Sequence, residues 1–297
     1  MSHFSADWLS LREPADAASR SAGLGAALSN HLRQVSPANG VIRVVDLGAG
    51  TAANLRYLAP RIGGPQEWLL VDGDSSLLDA VPERIQEWAE LYGVHVVENE
   101  GSLTLQGSIF ECGVRLVFSD LAKETDWLDL ARGSLVSASA LLDLVSSVWL
   151  AALADRCVKA DATVYFALTY DGRIECQPPD PQDAEVRELV NTHQRTDKGF
   201  GPALGPDAAS IARRIFEGRG YHLVCAPSDW RIGNDHAALQ RALVDGWFHA
   251  ACEVAPDREP VLQLWRDRRL ARVGAGESEL IVGHVDMIGW PLAPVSC

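Results

Sequence analysis

Short apolar, β-branched runs alternate with longer segments of helical periodicity along most of the chain. The runs predicted as strands are 41–47, 68–71, 115–118, 134–139, 162–169, 221–226 and 279–288. The segments predicted as helices are 52–62, 76–92, 141–157, 207–218, 235–253 and 259–273. Strands that alternate with helices at this spacing indicate a parallel sheet with helices on both faces. The predicted fold class is therefore α/β, arranged as a three-layer sandwich.

The chain divides into a helical extension and one large domain. Residues before the first strand are rich in Ala and Leu with helical spacing, and Pro14 is predicted to open their helix. We predict an N-terminal helical cap at 1–40 and a single domain at 41–297. Within it, the polar stretch at about 171–206 is rich in Gly and Pro and is predicted as an inserted functional loop region. The helices at about 235–273 cover the sheet or form a dimer surface.

The charge balance narrows the class of partner. The 297 residues include 26 Lys+Arg and 40 Asp+Glu, which gives a formal net charge of −14. An acidic protein repels phosphate backbones and anionic lipids, so neither nucleic acid nor a membrane is the expected partner. No apolar run approaches the length of a membrane span, and the charged N-terminus has no signal segment. We expect a cytoplasmic monomer or homodimer that acts on a small molecule.

Cysteine and histidine positions do not favour a metal centre. The six cysteines are scattered without a CxxC motif and are interpreted as reduced thiols. His222 with Cys225, and His249 with Cys252, have the i,i+3 spacing of ligand pairs. Neither pair has a third and fourth ligand nearby in the sequence, so no metal is predicted.

A glycine-rich turn follows the first predicted strand. Gly48, Ala49 and Gly50 allow a sharp turn and a close approach of a ligand to the backbone. Asp72 ends the second predicted strand, 22 residues after Gly50, where a carboxylate can accept two hydrogen bonds from a ribose diol. Because 48–53 also satisfies the pattern G-x-G-x-x-A, a dinucleotide remains an alternative, as does an ordinary tight turn.

Asp46, just before this turn, separates the two cofactor classes. A dinucleotide pyrophosphate is anionic and would sit against the turn, where an acid is electrostatically unfavourable. S-adenosylmethionine has no phosphate and carries a sulfonium and an α-ammonium group. An acid at position 46 therefore suits this cofactor, either directly or by holding the loop.

These motifs resemble those of the class I S-adenosylmethionine-dependent methyltransferases. The matching segments are Val45-Asp46-Leu47-Gly48-Ala49-Gly50-Thr51, Val71-Asp72-Gly73-Asp74, Phe118-Ser119-Asp120-Leu121 and Leu135-Val136-Ser137-Ala138-Ser139-Ala140-Leu141-Leu142-Asp143. The resemblance covers roughly 41–169 motif by motif and the rest by strand order only. It implies a mostly parallel seven-strand sheet, in which the last strand, at 279–288, runs antiparallel. It also implies S-adenosyl-L-methionine as cofactor and S-adenosyl-L-homocysteine as product.

The resemblance assigns a role to each part of the predicted cofactor site. By position the cofactor contacts are Asp46, Gly48, Ala49 and Gly50 at the methionine end, Asp72 and Gly73 at the ribose, Asp120 and Leu121 at the adenine, and Ser137 beside the transferable methyl group. Related enzymes often cover the cofactor with an N-terminal helix, so Arg20 is assigned to the methionine carboxylate, and Arg12 and Asp16 could join it there. A solvated helix face with i,i+4 charges is the alternative for each of the three residues.

Two polar clusters in the predicted loop region are candidates for the acceptor site. The residues chosen for substrate binding are Tyr170, Arg195, Lys198, Phe200 and Trp230. His193 is the candidate general base because imidazole titrates near neutrality, and Asp171 would orient it or serve as the base instead. The segment from His193 to Lys198 forms a basic island, expected to lie over the cofactor and to bind an anionic group. A charged surface loop is the alternative.

The function favoured by these residues is methyl transfer from S-adenosylmethionine to an O or N atom of a small polar molecule, which can be anionic. Two other classes stay open. A nicotinamide-dependent oxidoreductase fits the glycine pattern but is disfavoured by Asp46. A non-catalytic S-adenosylmethionine-binding protein would keep the sheet and lack an acceptor pocket.

Overall fold

The computed structural model of this protein describes residues 5–35, 40–123 and 130–292. Its helices are α1 (Ala6–Ser19), α2 (Ala22–Val35), α3 (Ala53–Ile62), α4 (Ser75–Asp79), α5 (Val81–Tyr92), α6 (Ser147–Lys159), α7 (Asp183–Gln194), α8 (Ala208–Glu217), α9 (Ala237–Val254) and α10 (Glu259–Ala275). Its strands are β1 (Ile42–Leu47), β2 (Gly64–Asp72), β3 (His95–Asn99), β4 (Ser102–Gln106), β5 (Phe110–Phe118), β6 (Leu135–Ser139), β7 (Thr163–Gln177), β8 (Tyr221–Pro227), β9 (Trp230–Ile232) and β10 (Glu279–Pro291).

One sheet joins the ten strands of the described residues, in the order β3-β4-β5-β2-β1-β6-β7-β10-β8, with β9 also paired to β10. The five strands β5, β2, β1, β6 and β7 are parallel to one another. Strand β10 runs antiparallel between β7 and β8. The predicted fold class and the antiparallel last strand are therefore confirmed.

Two apolar cores lie on opposite faces of this sheet. Val44 belongs to one core, together with Leu28 of α2 and Leu55 of α3. Val45, which points to the other face, packs in a second core with Leu150 of α6 and other side chains from α8. Because consecutive residues of a strand face opposite sides, both faces of β1 are buried, as parallel sheets require. The structure thus has the predicted three layers.

The sheet is larger than the seven strands predicted. Strands β3 and β4 form an antiparallel hairpin that extends the edge beyond β5. The alternating pattern of 102–105 explains β4, because Leu103 and Leu105 are buried and the residues between them are more exposed. The third additional strand, β9, has only three residues and pairs with β10.

Two further expectations from the sequence need correction. Helix α1 begins at Ala6, where the Ser5 hydroxyl accepts a hydrogen bond from the Trp8 amide at 3.1 Å, so Pro14 lies inside the helix instead of opening it. The segment predicted as a loop at 171–206 contains the end of β7 and all of α7. Val186 and Val190 of α7 are buried at i,i+4 spacing. Most other residues of this helix are polar, so its apolar periodicity is weak in the sequence.

A buried carboxylate in β10 joins the sheet to the N-terminal helices. Asp286 is fully buried and accepts a hydrogen bond from the Leu168 amide at 2.8 Å on one oxygen and from the Ser21 amide at 2.9 Å on the other. The Arg20 Nε atom lies 3.9 Å from the same carboxylate. Leu168 has a φ of 54°, in the left-handed region that leucine rarely adopts. Asp286 therefore holds both a strained position of β7 and the junction of α1 with α2.

Replacing Asp286 is expected to destabilise the fold. Asp286→Asn removes the charge that compensates the buried Arg20, which should lower the free energy of unfolding by about 3–5 kcal/mol. The matched control is Asp155→Asn, whose partner Arg219 lies 2.7 Å away on the surface; little change is expected there because exposed ion pairs contribute weakly. Chemical denaturation measures both, and equal effects of the two substitutions would contradict the role given to Asp286.

No helix in the described ranges is both long and apolar enough to cross a membrane.

Candidate functional site

A cavity of about 1070 Å³ opens at the carboxyl ends of the parallel strands and lies beside α1. Its walls include the turns after β1, β2, β5 and β6, together with α1 residues from Leu9 to Arg20. Open α/β sheets bind ligands at this edge. The volume lies at the upper end of the range for small-molecule sites, so it can hold a nucleoside-sized cofactor and a small acceptor together.

The glycine turn after β1 presents its backbone to the cavity. Gly48 and Gly50 have φ values of 64° and 53°, which glycine adopts without strain. The Ala49 amide donates to the Val71 carbonyl at 3.0 Å, and the Gly50 amide donates to a carboxylate oxygen of Asp72 at 2.7 Å. The turn is therefore fastened to β2. A Cβ atom on Gly50 would lie 2.9 Å from Leu9 of α1, so the helix passes very close to the turn.

Two acids at neighbouring strand ends face the cavity. The Asp72 carboxylate also accepts the Asp74 amide at 2.9 Å, and each of its oxygens retains a lone pair for a ligand. Burial raises the pKa of Asp72, and the amide hydrogen bonds from Gly50 and Asp74 oppose that rise. Asp120 lies 2.8 Å from the ammonium of Lys123. The hydrogen bond from this lysine lowers the pKa of Asp120, which stays ionised.

A buried polar network lies directly beneath the glycine turn. One oxygen of Asp46 accepts hydrogen bonds from the Asn54 amide and the Ser137 hydroxyl, both at 2.6 Å. The other oxygen of Asp46 is buried without a partner among the described residues. Arg20 donates to the Asn54 carbonyl oxygen at 2.9 Å. Burial, opposed by the two hydrogen bonds, raises the pKa of Asp46 to about 6.

Most of the predicted cofactor residues meet in this cavity. The residues that line it are Gly48, Ala49, Gly50, Asp72, Gly73, Asp120, Leu121 and Arg20. Asp46 and Ser137 do not line it among the described residues, because both are nearly inaccessible beneath the turn. Their predicted contact with the cofactor stays a prediction, and the structure places both side chains beneath the turn, where they support it.

The predicted catalytic pair lies outside the cavity lining within the described ranges. His193 contacts Glu253 of α9 at 3.0 Å through Nε2 and Lys198 at 3.3 Å through Nδ1. Asp171 is held by Arg173, which also pairs with Asp229 at 2.6 Å. The structure therefore does not bring His193 and Asp171 together as base and orienting group, because each is taken up by a different surface ion-pair cluster.

The predicted substrate residues separate into two groups. Lys198 and Phe200 line the cavity, and Phe200 packs edge-on against Trp149 at 5.4 Å between ring centres. Three others are absent from the lining of the described cavity and have internal partners instead. Those residues and partners are Tyr170 with Asn191 at 2.7 Å, Arg195 with Asp207 at 3.1 Å, and Trp230 with Asp16 at 3.0 Å.

Several residues of the site were not predicted from the sequence. Asn54 lies in the first turn of α3, and its position four residues after Gly50 is the only signal for it. Arg56 pairs with Glu13 of α1 through two contacts at 2.9 and 2.6 Å and donates to the Thr51 carbonyl at 2.5 Å. An apolar arm of the cavity has no counterpart in the motifs; its residues are Trp88, Leu91, Tyr92, Val94, Ile109 and Phe110.

The described residues contain no group of three or more His, Cys, Asp or Glu side chains that could hold a metal ion.

Comparison with known proteins gives structural similarity alone. No family model and no curated protein matches the sequence. Similar solved structures include an S-adenosylmethionine-dependent methyltransferase from Geobacter sulfurreducens bound to S-adenosyl-L-homocysteine, with 14% identity, 91% of each chain covered and a TM-score of 0.41. An arsenic(III) S-adenosylmethionine methyltransferase from Chlamydomonas reinhardtii is 14% identical over 86% of this chain and 65% of that chain, with a TM-score of 0.40.

A phosphoethanolamine N-methyltransferase from Haemonchus contortus is 11% identical over 98% of this chain and 59% of that chain, with a TM-score of 0.42. All three structures are methyltransferases by name. Identities and TM-scores of this size carry no argument about activity. The functional interpretation therefore depends on the geometry of the cavity.

The contact between Glu13 and Arg56 is expected to hold α1 over the cavity. Glu13→Ala leaves a nearly inaccessible guanidinium without its carboxylate, which should lower the free energy of unfolding by about 1–3 kcal/mol. Trypsin should also cleave faster after Arg20, at the end of α1. The control is Glu217→Ala, which removes an exposed i,i+4 pair with Arg213 on α8. If both variants are cleaved at the wild-type rate after Arg20, this contact does not hold the helix.

The buried Asp46 is expected to make stability depend on pH. Its pKa is about 6 in the folded protein and near 3.8 when unfolded, so the folded state binds the proton more tightly. Its stabilising effect is present below pH 4 and is lost as the pH rises through 6. Asp46→Asn should therefore gain stability relative to wild type between pH 4 and 6, by roughly 3 kcal/mol at most.

Urea denaturation at a series of pH values measures this difference. Ser137→Ala is the informative companion, because it removes a hydrogen bond that lowers the pKa of Asp46 and should move the transition to higher pH. If the free energies of unfolding of Asp46→Asn and wild type differ by the same amount at all pH values, the pH dependence does not come from Asp46.

Proposed function

We propose that this protein is an S-adenosylmethionine-dependent methyltransferase that acts on an O or N atom of a small polar molecule, which can be anionic. The observation that carries the proposal is the convergence of the glycine turn, Asp72 and Asp120 on one cavity under α1. We further propose that the domain at 41–297 binds the cofactor and that the helical cap at 1–40 covers its methionine end.

The nucleoside end of the cofactor fits the two strand-end acids. Asp72 retains lone pairs toward the cavity, where they can accept both ribose hydroxyls. Asp120 follows β5, the strand that pairs with β2, and the resemblance in the motifs implies that a residue at this position binds the adenine amino group. Leu77, Phe118 and Leu121 supply apolar walls for the base. Ionised carboxylates are suitable acceptors for both kinds of donor.

The methionine end of the cofactor fits the network beneath the turn. Arg20 lines the cavity and retains a donor for a carboxylate, because its Nε atom has no hydrogen-bond partner among the described residues. The unpartnered oxygen of Asp46 suits the α-ammonium group through a water molecule. A carboxylate and a guanidinium would then complement the opposite charges of an amino-acid moiety.

The same turn argues against a dinucleotide. Phosphate binding at a glycine turn needs free backbone amides. Here the Ala49 amide is used by Val71 and the Gly50 amide by Asp72. Asp46 and Asp72 add negative charge on both sides of the turn. The oxidoreductase alternative is therefore not favoured.

When bound, the cofactor supplies an electrophilic methyl group, so the residues of this chain mainly need to position the acceptor and exclude water. Leu9, Leu141 and Phe200 form apolar walls beyond the turn, and Lys198 adds a cation there. This combination favours an acceptor that has an apolar body and a polar or anionic group. It also argues against a purely cofactor-binding protein, because the cavity continues past the nucleoside site.

Calorimetric titration with S-adenosylmethionine, S-adenosylhomocysteine and NADH tests the cofactor class. We expect the first two to bind and NADH not to bind. Asp72→Asn should weaken S-adenosylhomocysteine binding by about 1.5–3 kcal/mol, because hydrogen bonds to a charged group are lost. Asp79→Asn, an exposed acid of α4 away from the cavity lining, is the control. Binding of NADH without binding of S-adenosylhomocysteine would overturn the proposal.

The acceptor is sought with a panel of small phenols, amines and carboxylic acids, scored by S-adenosylhomocysteine release. Cofactor binding without turnover on any such class would support the non-catalytic alternative.

A further inference from the structure

Lysine is rare in this chain, and one of its lysines faces the cavity. Of the 26 Lys and Arg residues only Lys123, Lys159 and Lys198 are lysines. Lys198 is the one of these that lines the cavity of the described structure. Arginine stays protonated under all physiological conditions, whereas a lysine that is partly removed from water can release its proton. A lysine at this position can therefore accept a proton from a ligand, whereas an arginine cannot.

A tight loop fixes Lys198 in place. One Asp197 oxygen accepts the amides of Gly199 at 2.7 Å and Gly201 at 3.0 Å, which closes the loop around the carboxylate. The positive φ values of these glycines, 105° and 84°, permit the turn. Phe200, between them, packs on Trp149 of α6. The backbone of this loop thus fixes the position of Lys198 at the cavity wall.

The ammonium of Lys198 leads to the surface through two further side chains. Its Nζ atom lies 3.3 Å from Nδ1 of His193, and Nε2 of His193 lies 3.0 Å from Glu253. An ammonium group can only donate, so Nδ1 accepts and the imidazole proton sits on Nε2, facing the carboxylate. Glu253 is 70% exposed. The three groups form a continuous hydrogen-bonded path from the cavity to solvent.

We propose that Lys198 is the general base of the methyl transfer and that His193 and Glu253 relay its proton to solvent. The inference depends on the proposed function. The acceptor's O–H or N–H bond breaks and its proton passes to the neutral amine of Lys198. The acceptor's electron pair forms the bond to the methyl carbon, while the carbon–sulfur bond breaks and leaves its pair on sulfur. Lys198 then returns to the amine by passing a proton through His193.

The charges around Lys198 are consistent with this role. Burial lowers its pKa, and the carboxylate of Glu253 from α9 opposes that effect. On its own loop Asp197 is directed to backbone amides, and Arg195 is paired with Asp207. From α1, Arg12 and Asp16 line the same cavity and pair with each other at 2.9 Å. Among the described residues, no carboxylate forms an ion pair with Lys198 that would keep it charged.

The small number of lysines makes a direct test possible. Protein labelled with ¹³C at the lysine ε-carbons gives three NMR signals, which single Lys→Arg variants assign. We expect the Lys198 midpoint to lie below the usual range of a lysine, because burial lowers its pKa. Glu253→Gln should lower this midpoint further, because it removes the charge that favours the ammonium. A Lys198 midpoint in the usual range, or one that Glu253→Gln does not move, would overturn the relay.

Turnover with an acceptor identified from the panel gives the second test. Lys198→Arg keeps the positive charge but cannot accept a proton, so kcat should fall about 100-fold or more while S-adenosylhomocysteine affinity is retained. His193→Gln should lower kcat and shift its pH profile with little change in KM. Lys159→Arg is the control. Wild-type turnover in Lys198→Arg would show that Lys198 serves only as a charge.

These measurements separate the relay from the methyltransferase proposal. Absence of cofactor binding to the wild-type protein would refute the proposed function whatever the lysine titration shows. Cofactor binding and turnover, together with an ordinary Lys198 titration, would refute the relay alone.

Discussion

The buried guanidinium of Arg20 is the contact on which the arrangement of the cavity depends. It lies at the end of α1, donates to Asn54, stands near Asp286 and is packed against the Tyr57 ring at 4.5 Å. A buried charge is tolerated only when such partners surround it. Those partners come from α3 and β10. If α1 left the sheet, the Arg20 guanidinium would therefore lose the groups that compensate its charge. The wall of the cavity that α1 provides is thus part of the folded domain and not a loose extension.

The same network places two carboxylates against the turn after β1. Asp46 lies below the turn and is stabilised by hydrogen bonds from Asn54 and Ser137. Asp72 uses the turn's own amide to hold it against β2. Because these carboxylates occupy the local donors, the fastening of the turn favours a cationic or neutral ligand over a phosphate.

The sheet and the cofactor end of the site could be predicted because both are encoded locally. Strand periodicity identifies β1, β2, β5 and β6, and the glycines and acids follow directly at their carboxyl ends. The position of Asp46 below the turn depends instead on long-range contacts with Ser137, 91 residues away. The hairpin β3–β4 is short and mostly polar, so its pattern was visible only in β4. The partners of Trp230 and Tyr170 likewise come from distant segments, which no local pattern contains.

The basic island from His193 to Lys198 shows that charged residues close together in the sequence need not line the same cavity. His193 and Arg195 lie at the end of α7, where helix geometry directs them toward α9 and toward Asp207. The chain then turns around Asp197, which sends Lys198 and Phe200 to the cavity instead. Residues only five positions apart consequently face different surroundings, and they remain connected because Lys198 reaches back to His193. These charged side chains thus form a connected path from the cavity to the surface and not a single positive patch.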